Sequence, residues 1–142
     1  MGGSHVLLVD PNATCNTVLP TVSLTDGPQN AQLVHKAIRE GLVTSAHDCS
    51  EGGALLAAAE MAFGGGLGLD LELENESLCF SETPSRYLLE VHPDKLEKLQ
   101  QHFADIPCKV IGTFNDSDKV TLGTSSWNIE DLFRGWAEGM VI

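Results

Sequence analysis

The sequence predicts an α+β fold, a mixed sheet with helices packed on it. Three observations lead there. Runs with the alternation of strands interleave with runs of helical spacing along most of the chain. Near the end, Lys109 to Phe114 and Lys119 to Leu122 flank Asn115-Asp116-Ser117-Asp118, a hairpin signal that argues against an all-parallel sheet. A length of 142 residues, 42% of them hydrophobic, suits one domain with a real core, so residues 1–142 are read as a single unit.

Ser4 to Val9 opens the chain and suits either a strand or a helical turn. Ala13 to Leu24 has weak periodicity and no assigned element. A helix is predicted from Asp26, its cap, to a stop at Gly41, with Ala31, Leu33, Val34, Ala37 and Ile38 at helical spacing. Leu42 to Ala46 is a candidate strand leading through a Gly-bearing turn into a second helix that ends at Phe63. That helix is apolar on nearly every side, which requires burial against a sheet or a partner. Gly64-Gly65-Gly66 closes it, and Leu67, Leu69, Leu71 and Leu73 then alternate as a half-buried strand. Arg86 to His92 reads as another strand, and Pro93 fits the first turn of a helix carrying Leu96, Leu99 and Phe103. A last helix from about Asn128 places Ile129, Leu132, Phe133 and Trp136 on one face.

The 20 acidic and 8 basic residues leave a net charge of −12, a field that repels nucleic acid and anionic lipid. The apolar stretch Ala54 to Phe63 is about half the ~20 residues needed to span a bilayer, and Glu60 interrupts it. Met1-Gly2-Gly3-Ser4-His5-Val6 departs from the myristoylation signal at Val6. Cys15, Cys49, Cys79 and Cys108 lie about thirty residues apart without a C-x-x-C pair, as expected for reduced thiols of a cytoplasmic protein. A soluble protein with neither nucleic acid nor membrane as partner is expected.

The richest chemistry lies in His47-Asp48-Cys49-Ser50-Glu51-Gly52-Gly53, at the mouth of the apolar helix. A phosphate there would meet amides at the positive end of the helix dipole, and the glycines at 52 and 53 would let it approach the backbone. The same residues also suit a plain helix cap, in which Asp48 or Ser50 satisfies orphan amides and the glycines only make the turn. Both readings stand at this point.

Around this segment the chain resembles the phosphoribosylformylglycinamidine synthase family. That family carries H-D-x-S-[DE]-G-G followed by A-E-M-A, matched by His47 to Gly53 and Ala59-Glu60-Met61-Ala62. Gly2-Gly3-Ser4 resembles the L-G-G-S opening its second C-terminal domain, and Phe80 to Arg86 resembles F-S-E-S-x-x-R. The resemblance implies the fold of the C-terminal domain of aminoimidazole ribonucleotide synthetase-like proteins, here one piece of a larger enzyme. It also implies ATP-dependent conversion of formylglycinamide ribonucleotide to the amidine with glutamine-derived ammonia, in purine biosynthesis.

By the same resemblance, Asp48 ligates Mg2+ and Ser50 contacts a nucleotide, while Asp48, Ser50, Gly52 and Gly53 form the nucleotide or phosphate site. The ATP-binding and catalytic residues fall to an N-terminal synthetase domain, and the amidotransfer cysteine to a glutaminase domain or subunit. The substrate is a phosphorylated small molecule. Because the family pairs such lobes, a homodimer or a large exposed apolar face is expected. A non-catalytic binding or assembly module of the same superfamily is the alternative.

Other residues are weighed individually. Cys49 sits where a helix dipole would lower a thiol pKa, but no base partner is fixed beyond His47. His47 and Cys49 supply only two ligands where zinc normally takes more. Gly64 to Gly68 lacks the Gly-Lys-Ser/Thr of a P-loop and reads as a helix stop. Arg86 can grip a phosphate or carboxylate, or pair with Glu82 on the surface. Glu60, alone in an apolar helix, needs a buried partner or a place at the edge of an interface. Trp127 and Trp136 are expected to pack the last helix.

Overall fold

The computed structural model describes residues 3–10 and 22–139. Gly2 of the opening motif, Cys15 and most of the Ala13 to Leu24 stretch fall outside them. Among the described residues the sheet has seven strands in the order β2-β4-β1-β5-β3-β6-β7. The strands are β1 (His5–Val9), β2 (Ser45–Asp48), β3 (Gly68–Leu71), β4 (Tyr87–Val91), β5 (Cys108–Asn115), β6 (Lys119–Leu122) and β7 (Ser125–Asn128). The helices are α1 (Asp26–Arg39), α2 (Gly53–Gly65), α3 (Glu76–Phe80), α4 (Pro93–His102) and α5 (Ile129–Gly139). The mixed α+β architecture is as the sequence predicts.

The opening segment is a strand because its side chains are apolar on both faces. Val6 and Leu8 enter one core cluster with α2 residues, while Leu7 and Val9 enter another with Val34, Ala37 and Leu99. Helices therefore cover both faces, α1 and α4 on one and α2 on the other, and β1 pairs antiparallel with both β4 and β5 near the middle of the sheet. On the outer side of α2, α5 sets Phe133 and Trp136 against Phe63, with ring centroids 5.6 Å apart in each pair.

Several boundaries differ from expectation. Asp26 is the first residue of α1 and not its cap. Thr25 holds the cap position, and Ser23 accepts from the Asp26 amide while its hydroxyl donates to the Asp26 carboxylate. The strand expected at Leu42 to Ala46 begins at Ser45, because Leu42 is used to close α1: its amide donates to Ala37 O across Gly41, which has φ 67°.

The hairpin expected between Lys109 to Phe114 and Lys119 to Leu122 does not form. β3 lies between β5 and β6, antiparallel to the first and parallel to the second. Leu69 and Leu71 fill the core there, and Asp70 accepts from Asn115 Nδ2 at 2.8 Å and Thr121 Oγ1 at 2.6 Å, tying all three strands together. The hairpin that does form joins β6 to β7 through Gly123, φ 58°, and the polar β7 was not anticipated.

Candidate functional site

β2 is an edge strand whose last residue, Asp48, pairs with Tyr87 of β4. The Cys49 amide donates to Arg86 O, and this turns the Cys49 side chain into the core beneath α2. Ser50, Glu51 and Gly52 form the turn, closed by the Gly53 amide donating to Ser50 O at 3.1 Å. Both Gly52 (φ 78°) and Gly53 (φ 66°) adopt the left-handed conformation, where a side chain is strained. A Cβ at Gly53 would also lie 2.6 Å from Cys79 O, so the glycine lets α3 pack directly against the start of α2.

The capping reading fails. No side chain caps α2; the Ser50 hydroxyl instead donates to Asp48 Oδ2 at 2.5 Å. This hydroxyl, the largest influence on it, holds the Asp48 carboxyl below its ordinary pKa, and nearby His47 adds to the effect. Asp48 is thus an ionised, largely exposed carboxylate with a hydroxyl beside it. The Gly52 amide donates to Glu82 Oε1 at 3.0 Å, so one donor that the sequence offered to an anion already has a carboxylate on it.

Glu82 is therefore not the partner of Arg86. Arg86 is 2% exposed, with Nε 3.2 Å from Asp10 Oδ2 and Nη1 donating to Ser81 O at 2.9 Å. Its guanidinium belongs to the interior and is not available to a surface phosphate. Cys49 is equally removed from chemistry. Burial pushes its thiol up to about 11, against the smaller opposing pull of Arg86, so the lowering expected from the helix dipole does not occur.

Glu60 has the partners its apolar setting demands. His47 Nε2 lies 2.7 Å from Glu60 Oε2, and Trp136 Nε1 donates to Glu60 Oε1 at 2.9 Å. His47 Nδ1 lies 2.6 Å from Asp48 O, so both ring nitrogens face acceptors. Sequence reasoning marked Glu60 as needing a partner but did not connect it to His47 or Trp136. The signal was a lone carboxylate within an apolar helix, facing a strand end that carries an imidazole.

These residues line an open cavity of about 880 Å³ between the turn and α5. Its walls carry the carboxylates of Asp48, Glu51, Glu60 and Asp131, and neither lysine nor arginine. A bare phosphate would be repelled there, whereas one accompanied by a divalent cation would be attracted. Among the described residues no three or more His, Cys, Asp or Glu side chains are grouped to hold a metal. Asp48 with one neighbouring hydroxyl suits Mg2+ only where the nucleotide and water supply the remaining oxygens, which is how Mg2+ is commonly bound.

A second, apolar hollow of about 370 Å³ lies beside α2, lined by Leu55, Leu56, Phe80, Trp127 and Leu132 among others. Most of α2's apolar surface is covered, and this hollow is where part of it reaches the surface. Trp127 stands on β7 at its edge and not within α5. No helix of the described residues is long and apolar enough to cross a membrane.

Comparison with known proteins gives a consistent result. Residues 1–125 match the family described as AIR synthase related protein, C-terminal domain. The curated phosphoribosylformylglycinamidine synthase subunit PurL of Cereibacter sphaeroides is 45% identical over 95 residues, covering 66% of this chain. The PurL subunit of Brucella ovis is 32% identical over 142 residues, covering 94% of it. The chain spans only 13% and 19% of the lengths of these two relatives. Among solved structures, Thermotoga maritima PurL complexed with ATP superposes with a TM-score of 0.84 at 15% identity, over 93% of this chain and 26% of that one. A HypE–HypF complex superposes with a TM-score of 0.66 at 19% identity, over 90% of this chain and 52% of that one. These superpositions speak to the fold.

Proposed function

The chain belongs to the family of AIR synthase related protein C-terminal domains, and from that premise we propose that it is the C-terminal domain of a phosphoribosylformylglycinamidine synthase. The observation that carries this reading is its 32% identity to a PurL subunit across 94% of its residues. In the reaction of that enzyme, ATP activates the formamide oxygen of formylglycinamide ribonucleotide, and ammonia from glutamine displaces it to give the amidine. Thermotoga PurL has been solved with ATP, with FGAR and as PurLQS, which supports a nucleotide, a phosphorylated substrate and further subunits for its relatives. The partners of this chain are then an N-terminal ATP-binding synthetase domain and a glutaminase domain or subunit, in the cytoplasm.

Within that enzyme the turn from His47 to Gly53 faces the nucleotide. Asp48 would hold Mg2+ with its ionised carboxylate and Ser50 orients that carboxylate, while Gly52 and Gly53 supply the left-handed turn that carries both residues to the cavity rim. Magnesium supplies the positive charge that lets a phosphate approach a cavity lined by carboxylates. A phosphate reaching the Gly52 amide would displace Glu82. The apolar hollow beside Trp127 favours a packing surface as well, so an assembly role and the enzyme role are compatible.

The test joins this chain to the preceding synthetase domain and measures Mg2+-dependent nucleotide affinity and substrate-dependent ADP release. Asp48→Asn is expected to weaken nucleotide binding by tenfold or more with the fold intact. Unchanged affinity removes Asp48 from the site. Absence of ADP release dependent on formylglycinamide ribonucleotide in the joined protein rejects the function.

A further inference from the structure

Four contacts run in series from the last helix to the turn. Trp136 Nε1 donates to Glu60 Oε1 at 2.9 Å, and Glu60 Oε2 lies 2.7 Å from His47 Nε2. His47 Nδ1 lies 2.6 Å from Asp48 O, and the Ser50 hydroxyl donates to Asp48 Oδ2 at 2.5 Å. The two ends of this series are far apart in sequence, and α5 lies beyond residues 1–125, the part matched by the family. The Glu60 carboxylate joins them, using one oxygen for each side.

We propose that Trp136 and Glu60 are positioning residues: by docking α5 through the Glu60 carboxylate, the chain fixes the His47 ring and, through the Asp48 carbonyl, the direction in which the Asp48 carboxylate points. The physical ground is that Asp48 lies at the end of an edge strand, largely exposed, with little packing to hold it. The Asp48–Cys49 peptide is held on one side by the Cys49 amide, which donates to Arg86 O, and on the other by His47 at the Asp48 carbonyl, and only the second of these contacts depends on α5. An imidazole is itself loose unless its other nitrogen is fixed, which Glu60 does from α2. Trp136 occupies the second oxygen of Glu60 and so selects the carboxylate orientation that faces His47. Partners of this kind around a ligating carboxylate or histidine commonly change metal affinity by about 10–100-fold.

The inference rests on the reading of Asp48 as a cation ligand, and the experiment separates the two. Mn2+ together with ATP is titrated into the 142-residue chain, and paramagnetic broadening of the amide resonances of residues 48–52 gives the apparent affinity. The wild type, Asp48→Asn, Trp136→Phe, Glu60→Gln and the Trp136→Phe/Glu60→Gln double variant are compared. Trp136→Phe keeps an aromatic ring against Phe63 and alters no charge, so an electrostatic effect of Glu60 cannot imitate its result. The expected result is Asp48-dependent broadening in the wild type, weakened about tenfold by each single substitution and no further by the double one. Unchanged affinity in folded Trp136→Phe and Glu60→Gln, or losses that simply add, overturns the relay while leaving Asp48 a ligand. Broadening that is absent from the wild type, or that survives Asp48→Asn, overturns the cation site and the relay with it.

Discussion

Cys49 follows the proposed cation ligand directly, yet the turn that begins at its amide, bonded to Arg86 O, sends its side chain the other way, into the core between the sheet and α2. At 6% exposure its thiol is raised from the ordinary 9.0 to about 11 by loss of solvent. The unfolded thiol ionises first as pH rises, so the stability this group contributes is complete below pH 9 and is lost as pH climbs towards 11. We expect the unfolding free energy to fall by roughly 2–3 kcal/mol over that window beyond the change seen in Cys49→Ala, as read from urea titrations at several pH values. A pH dependence identical in the two proteins would contradict the burial argument. The motif spelled out the residues at this turn, and Asp48 and Ser50 do come together as neighbours. It did not reveal which of them face inward, because a turn's φ values decide that and a residue pattern does not carry them.

At the scale of elements, the two glycines that begin α2 and the glycines that end it do opposite work. Gly53 combines a left-handed φ with backbone of α3 within 3 Å of where a Cβ would stand. Gly53→Ala is expected to destabilise by about 2 kcal/mol or more, combining dihedral strain with overpacking. Gly64 lies within α2 with open space around it, and Gly64→Ala is expected to stabilise by about 0.5–1 kcal/mol through the unfolded chain. Chemical denaturation midpoints check both, and shifts of the same sign would undermine the distinction. Helices were the legible elements, since α1, α2, α4 and α5 are each announced by spacing or by proline and glycine at their ends. Strand neighbours were not. The Asn115 to Asp118 signal correctly marked a reversal, but partner choice depends on the burial of Leu69 and Leu71 and on Gly112, where a Cβ would meet Asp70 O at 2.6 Å. Those are contacts between residues some forty positions apart, and local turn chemistry does not encode them.

For the whole molecule, the question is how a sheet covered by helices on both faces can be stable by itself and still, as proposed, act only as one domain of a larger enzyme. The two core clusters are closed by the chain's own helices, and the apolar α2 has the sheet, α3 and α5 around it. Cooperative unfolding of the isolated chain is therefore expected, followed by circular dichroism. Catalysis has different requirements. Activating an amide oxygen with ATP needs cationic groups arranged around the transferring phosphoryl, together with a residue to move a proton. The cavity at the turn offers four carboxylates and no lysine or arginine, and the buried guanidinium of Arg86 is committed to Asp10 and Ser81 O. Cys49 is protonated at neutral pH and enclosed, so it cannot serve as the nucleophile that releases ammonia from glutamine. We therefore expect the folded 142-residue chain, given formylglycinamide ribonucleotide, MgATP and either glutamine or ammonia, to release ADP no faster than a sample without protein. Restoring the N-terminal synthetase domain should bring ammonia-dependent turnover, and restoring the glutaminase should add dependence on glutamine. Turnover by these residues alone would mean that the cavity acquires its positive charge from a source other than this fold's side chains, and it would overturn the proposed division of labour between domains.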